Sequence, residues 1–272
     1  MAKRYGVPFQ GSKNSIAKDI ITFLPQADTL VDICAGGCAI THCALESGKW
    51  RHIVANDINP LPTQLFWDAI HGKYHSCSRW VSREEFEILK NKDPYVRLCW
   101  SFGYNGCGYL YGRDLELLKH DLHNVIFGET VHDRYVAWRK FNRDLLQSLE
   151  RLESLERLES LESLESLERL EISNLDYEDV PVPANSIIYA DIPYEDTDCK
   201  GYKGFEHQRF YEWAYRCETP LYFSSYENIS DNRFERVWSK IKSVHYNNSK
   251  PTKKKALECI YANKIGVKLL NG

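Results

Sequence analysis

"TLVDICAGG", residues 29–37, is the stretch whose reading decides the fold. A short apolar run ends on an acid and then on paired glycines, and "CAITHCALES" (38–47) follows with helical spacing. A strand that turns through glycines into a helix lets a ligand approach backbone N–H groups closely. The stretch is neither a G-x-G-x-x-G dinucleotide turn nor a phosphate-cradling G-x-x-x-x-G-K. Before it, "SKNSIAKDIITFLP" (12–25) has apolar residues at helical spacing, with Ser12 or Asn14 as the expected cap and Pro25 as the stop. After it, "HIVANDIN" (52–59) reads as a second strand ending in Asp57.

The same alternation resumes near residue 172. It runs through "LEISNLDYEDV" (170–180), the strand "NSIIYADIPY" (185–194), the helix "FEHQRFYEWAYRC" (205–217), the strand "PLYFSSYE" (220–227) and "ALECIYAN" (256–263). Continuously apolar strands separated by helices predict an α/β fold around an open, mostly parallel sheet. Ligands in such sheets sit at the C-terminal ends of the strands. Gly36, Gly37, Asp57, Asp176 and Asp191 all fall there. Asp57 lies 20 residues past Gly37, where an acid commonly accepts from ribose hydroxyls, so the pattern points to a nucleoside ligand lacking a pyrophosphate. Each acid taken alone reads first as a cap or turn residue, and Asp191–Tyr194 as a plain turn; it is their order along the chain that favours a ligand site.

Composition limits the setting. The chain has 272 residues, 43% hydrophobic and 13% aromatic, enough for a sizeable core in one large domain or a domain with an insertion. Nine cysteines, an odd number with no C-x-x-C pair, suggest neither a disulfide framework nor a zinc site, and the histidines show no ligand pairing. No leader and no membrane-length apolar run is present, so a soluble, cytoplasmic protein is expected.

Residues 148–171 are eight consecutive Ser/Arg-Leu-Glu triplets. They hold 8 Glu and 3 Arg, so the rest of the chain carries 32 basic against 30 acidic residues, a net charge of +2, in place of the overall −3. A polyanionic partner is therefore compatible with the sequence. Leucine every third residue winds around a helix and forms no single stripe. The expectation is a surface insertion, helical in part and without catalytic duty, with a solenoid-like strand arrangement as the other possibility.

These residues together resemble the Dam-type DNA adenine N6 methyltransferases of bacteria and bacteriophages, on both flanks of the repeat. "FQGSK" matches their N-terminal element, and "DICAGG" their Asp/Glu-Pro-Phe-x-Gly-x-Gly turn. "DIPY" matches Asp-Pro-Pro-Tyr, and "TKKKALECIYAN" their final strand. The resemblance implies a Rossmann-like methyltransferase fold with a mainly helical inserted target-recognition domain. The catalytic domain would be residues 1–60 and 172–272, the recognition region 61–147 and the repeat 148–171. It implies S-adenosylmethionine as methyl donor, with no metal. Phe9, Gly11 and Lys13 would help hold the donor, and Asp32, Cys34, Ala35, Gly36 and Gly37 would lie along its methionine part. Asp57 and Ile58 would meet its ribose, and Asp176 and Tyr177 its adenine.

Asp191, Ile192, Pro193 and Tyr194 would form the catalytic tip. The exocyclic nitrogen of adenine is a weak nucleophile, its lone pair delocalised into the ring. The Asp191 carboxylate and the Ile192 carbonyl would accept its two hydrogens while Tyr194 stacks on the base. The target base lies inside duplex DNA and would be flipped out. "WSFGYNGCGYLYGRD" (100–114) resembles the family's Arg-Tyr-Asn-x-x-Gly element. It makes Tyr104 a candidate wedge and Asn105 and Arg113 candidate contacts to double-stranded DNA, although its composition equally suits a packed loop with core tyrosines. Lys253, in "SKPTKKK" (249–255), is a candidate phosphate contact or part of a solvated hairpin. Transfer to cytosine N4 or to a protein glutamine amide, and a DNA-binding relative without turnover, are the competing readings.

Overall fold

The computed structural model describes residues 4–140, 158, 161, 167–195, 204–244 and 254–271. Lys253 and most of the triplet repeat lie outside the described residues. The N-terminal part contains α1 (Ala17–Phe23), β1 (Thr29–Asp32), α2 (Ala39–Ser47), β2 (His52–Asn56) and α3 (Pro60–Ile70). Next come α4 (Arg83–Leu89), α5 (Pro94–Cys99), α6 (Arg113–Phe127) and α7 (Val131–Lys140). The C-terminal part has β3 (Leu170–Ser173), β4 (Ser186–Ala190), α8 (His207–Arg216), β5 (Leu221–Ser225), β6 (Glu235–Val244), β7 (Lys254–Ala262) and α9 (Lys264–Asn271).

The strands form one seven-stranded sheet in the order β3-β2-β1-β4-β5-β7-β6. Pairs β2–β3, β1–β2, β1–β4 and β4–β5 are parallel, and β7 runs antiparallel to both β5 and β6. β1 is buried along its whole length, as expected of a central parallel strand covered on both faces. Its alternate residues feed two cores. Leu30 packs with Ile20, Ala44 and Phe66 from the helices on one face, and Val31 packs with Phe210 and Ala214 of α8 on the other. The chain leaves β1 toward β2 on one side and pairs it with β4 on the other. The C-terminal ends of β1 and β4 therefore flank the point where strand order reverses, which is where open α/β sheets bind ligands. This is the Rossmann-like methyltransferase fold expected from the sequence, and the named elements between β2 and β3 are helices joined by turns and loops.

The structure departs from the sequence reading in four places. Neither Ser12 nor Asn14 caps α1: the N-cap is Ile16, and the Asn14 side chain instead accepts from the Tyr5 backbone N–H. The boundary at residue 61 falls inside α3, whose Leu65, Phe66, Ala69 and Ile70 belong to the main core. The repeat is not simply a surface insertion. Leu158 and Leu161 are fully buried in the main core, and the last triplet forms the start of β3, with Leu170 paired to Ile53. Arg169 anchors it through hydrogen bonds to the carbonyls of Leu45 and Trp50. Finally, β6 was not anticipated, because "ERVWSKIKSV" is an exposed edge strand rich in charge, the usual protection of a sheet edge.

Candidate active site

The glycine turn is built around two carboxylates and one ring. Asp32, at the end of β1, accepts from the Thr41 backbone N–H (3.2 Å) and hydroxyl (2.6 Å) with Oδ2. Asp57, just past β2, accepts from Gly36 N–H with Oδ2 (2.8 Å) and from Asn59 N–H with Oδ1 (2.9 Å), tying the turn after β1 to the start of α3. The Phe9 ring lies on the turn: a β-carbon at Gly36 would stand 2.8 Å from it, and one at Gly37 would stand 2.5 Å from the Phe9 β-carbon and 3.1 Å from the Val7 carbonyl. Val7 N–H donates to the Gly37 carbonyl, completing the strap. Gly37→Ala is therefore expected to push the 5–9 segment off the turn. It should cost about 1–3 kcal/mol of stability, read by thermal melting, and weaken donor binding with it.

Asp32 also tests whether the residues fit the implied methyl donor. Its Oδ1 is buried with no hydrogen-bond partner among the described residues. Burial, with help from the Asp191 charge and against the Thr41 hydroxyl bond, pushes its pKa up to about 7. An orphaned, desolvated carboxylate oxygen beside a glycine turn suits a cationic group such as the amino-acid end of S-adenosylmethionine. Cys34 and Ala35 are half-buried at the same turn, and Ile58 is exposed beside Asp57. A cation on Asp32 favours its charged form. Donor affinity without DNA should then rise roughly tenfold from pH 6 to pH 7.5 in calorimetric titrations, and Asp32→Asn should flatten that rise.

Asp176 and Tyr177, expected from the sequence at the donor adenine, are engaged with α8. Arg209 holds both oxygens of Asp176 (3.0 Å each) and Glu178 (2.9 Å), and its guanidinium lies 5.2 Å from the centre of the Tyr177 ring. The Tyr177 hydroxyl is buried without a hydrogen-bond partner among the described residues, while its ring packs edge-on against Phe210 and Trp213.

The tip follows β4. The Ile192 side chain is buried in the core with Val31 and Phe210, which leaves its backbone as the part able to face a ligand. His207 lies 2.7 Å from the Pro193 carbonyl through Nε2, and Glu195 accepts from the Tyr211 hydroxyl and from the Ser230 N–H and hydroxyl. The sequence reading missed both of these anchors. It also placed Lys13 with the donor, whereas the structure brings Lys13 to the tip. Its ammonium is 2.5 Å from Asp191 Oδ1, 3.5 Å from Glu258 Oε1 and 4.8 Å from the centre of the Tyr194 ring. The Tyr194 hydroxyl donates to the same Glu258 oxygen, and its ring meets Tyr226 edge-on. Burial alone disfavours the Lys13 ammonium, but Asp191 and Glu258 together outweigh this and hold its pKa above the ordinary lysine value. Gly11, by contrast, is exposed, in a left-handed conformation with open space around it.

Residues 101–109 form a tight loop closed by a bridge between Ser101 and Tyr109. Both sequence readings of this stretch have a counterpart here. Tyr109 and Tyr111 are buried in the main core, while the tip carries half-buried Tyr104 and Asn105. Gly103 and Tyr104 both adopt positive φ, at 67° and 57°. Phe102, 54% exposed beside Tyr104, was not singled out from the sequence. Arg113 is exposed at the first position of α6. Among the described residues no three His, Cys, Asp or Glu side chains gather as a metal site requires, and no helix is long and apolar enough to cross a membrane.

A search of curated protein sequences gives no match. Among solved structures, a 23S rRNA methyltransferase, ErmE, matches with 10% identity and a TM-score of 0.37, covering 94% of this chain and 70% of that one. A putative methylase from Haemophilus influenzae matches with 10% identity and a TM-score of 0.33, covering 94% and 91%. A family model, the D12 class N6 adenine-specific DNA methyltransferases, matches residues 9–216. That span runs from the ring on the glycine turn through the Asp191–Tyr194 tip to the end of α8, and the chain belongs to this family of DNA adenine methyltransferases.

Proposed function

We propose that this enzyme transfers the methyl group of S-adenosylmethionine to the N6 atom of an adenine flipped out of duplex DNA, at the tip formed by Asp191, Ile192, Pro193 and Tyr194. The observation that carries this reading is the placement of Asp191 at the switch point of the sheet, beside the glycine turn and its orphaned Asp32 oxygen. When bound, S-adenosylmethionine supplies an electrophilic methyl on a sulfonium. The Asp191 carboxylate and the Ile192 carbonyl accept the two N6 hydrogens, drawing the nitrogen toward tetrahedral geometry so that its lone pair faces the methyl. Asp191 would also receive the proton that N6 loses once it has taken the methyl group, with S-adenosylhomocysteine as the other product. Tyr194, held by Glu258 and Tyr226, offers its ring to the base. Asp57, which fixes the turn, would lie at the donor's ribose, and Asp176 and Tyr177 would hold its adenine.

The 101–109 loop supplies the wedge in this reading: Tyr104, with Phe102 next to it, fills the space that the base leaves. Asn105 and Arg113 contact bases or phosphates, and Lys253 a phosphate. The biological setting proposed is restriction-protective or phage modification in the bacterial cytoplasm. Incubating the purified protein with duplex DNA and methyl-labelled donor tests the reading by nucleoside mass spectrometry. Label in N6-methyladenine is expected; label in N4-methylcytosine, or in protein glutamine only, would replace the proposed acceptor.

A further inference from the structure

We infer that Glu258 is a positioning residue for the transfer step, the second seat to which Lys13 moves when the acceptor base claims Asp191. The inference rests on the proposed function and deepens it. Lys13 is only 4% exposed and lies between two carboxylates, at 2.5 Å from Asp191 and 3.5 Å from a Glu258 that is itself fully buried. An oxygen of Asp191 that is bonded to an ammonium at 2.5 Å is a poor acceptor for an incoming amino group, because charge-assisted bonds are about twice as strong as neutral ones. Lys13 is buried, and stranding a buried charge is costly. Glu258 resolves the conflict. A movement of Nζ by under ~1 Å brings it into hydrogen-bond range of Glu258 Oε1 and releases Asp191 Oδ1 for the base.

Tyr194 makes the exchange responsive to the base. Its hydroxyl donates to the Glu258 oxygen that Lys13 would take, and its ring faces the ammonium. A base stacking on Tyr194 therefore touches the group that aims Glu258. The arrangement joins three distant segments, the N-terminal strap, the β4 tip and β7. The titratable groups around Asp191 are Lys13 from the strap, Asp32 and Cys34 from the β1 end, Tyr189 and Tyr194 from its own strand and tip, and Glu258 from β7.

Glu258→Gln keeps an oxygen for Tyr194 and removes only the charge that receives Lys13. Its kcat should fall roughly thirtyfold while its donor Kd stays within about threefold of the parent. The acidic limb of its kcat–pH profile should move to lower pH by about one unit, since Lys13 then stays on Asp191. Glu258→Asp, which retains the charge, should recover most of the rate and the original limb. The inference is overturned if Glu258→Gln matches the parent, if it loses activity with the limb unmoved, or if Glu258→Asp is as slow as Glu258→Gln. Thermal melts of each variant separate misfolding: Glu258→Asp, folded like the parent, decides the case should Glu258→Gln unfold. An inactive parent sinks the proposed function; an active parent matched by Glu258→Gln sinks only the role of Glu258.

Discussion

Asp191→Ala is expected to lower the methylation rate about 10³-fold or more, while donor affinity measured without DNA stays within a few-fold of the parent. Of the two acceptors proposed for the amino group, the Ile192 carbonyl is backbone and survives the change, so the loss measures the carboxylate alone. Asp191→Asn should lose nearly as much, because it keeps the shape and one oxygen but cannot receive the proton. Lys13 remains held by Glu258 in both variants, so their melting temperatures should differ little from the parent's. An equal loss of donor affinity would instead place Asp191 in the donor site.

Asp57→Ala should have the second largest effect, on both stability and donor binding. Its two oxygens accept from two backbone N–H groups at different ends of the site, Gly36 and Asn59. Leaving a buried donor unsatisfied costs about 1–3 kcal/mol, so losing this carboxylate should cost about 2–4 kcal/mol, a fall of roughly 5–15 °C in Tm. Gly36 has a φ of 48° and lies under Phe9, so its N–H cannot readily turn to another partner. The released turn should weaken donor binding roughly a hundredfold in calorimetric titrations. Asp57→Asn, which still offers one oxygen, should show about half the loss of stability. A donor affinity unchanged in Asp57→Ala would remove Asp57 from the binding site and leave it a structural clasp.

What the sequence revealed, and what it hid, follows from how each feature is encoded. β1, β2, β4 and β5 were legible because central parallel strands are continuous apolar runs, and because Gly36–Gly37, Asp57 and Asp191 mark their ends within a few residues. The position of β7 between β5 and β6 was not legible, since a strand's neighbours are set by the whole sheet and not by its own pattern. β6 carries too much charge to read as a strand, whereas β3 falls at the start of "LEISNLDYEDV", where the alternation was read to resume, although its first two residues belong to the triplet repeat. In the candidate site, the sequence reading named residues within its motifs and not those that the fold brings against them from other elements. Lys13 was recognised but assigned to the donor, because nothing local places it 178 positions away against Asp191. Glu258, Arg209 and His207 act on motif residues from other elements, and each sits in a segment that reads as ordinary strand or helix.

The central claim, that the tip after β4 modifies adenine in DNA, is tested most directly by single-molecule sequencing of plasmid DNA from cells expressing the protein or its Asp191→Ala variant. The account predicts N6-methyladenine at one recurring sequence with the parent protein and none with Asp191→Ala. Modified adenine that persists in the variant, or a recurring modification on cytosine, would contradict it.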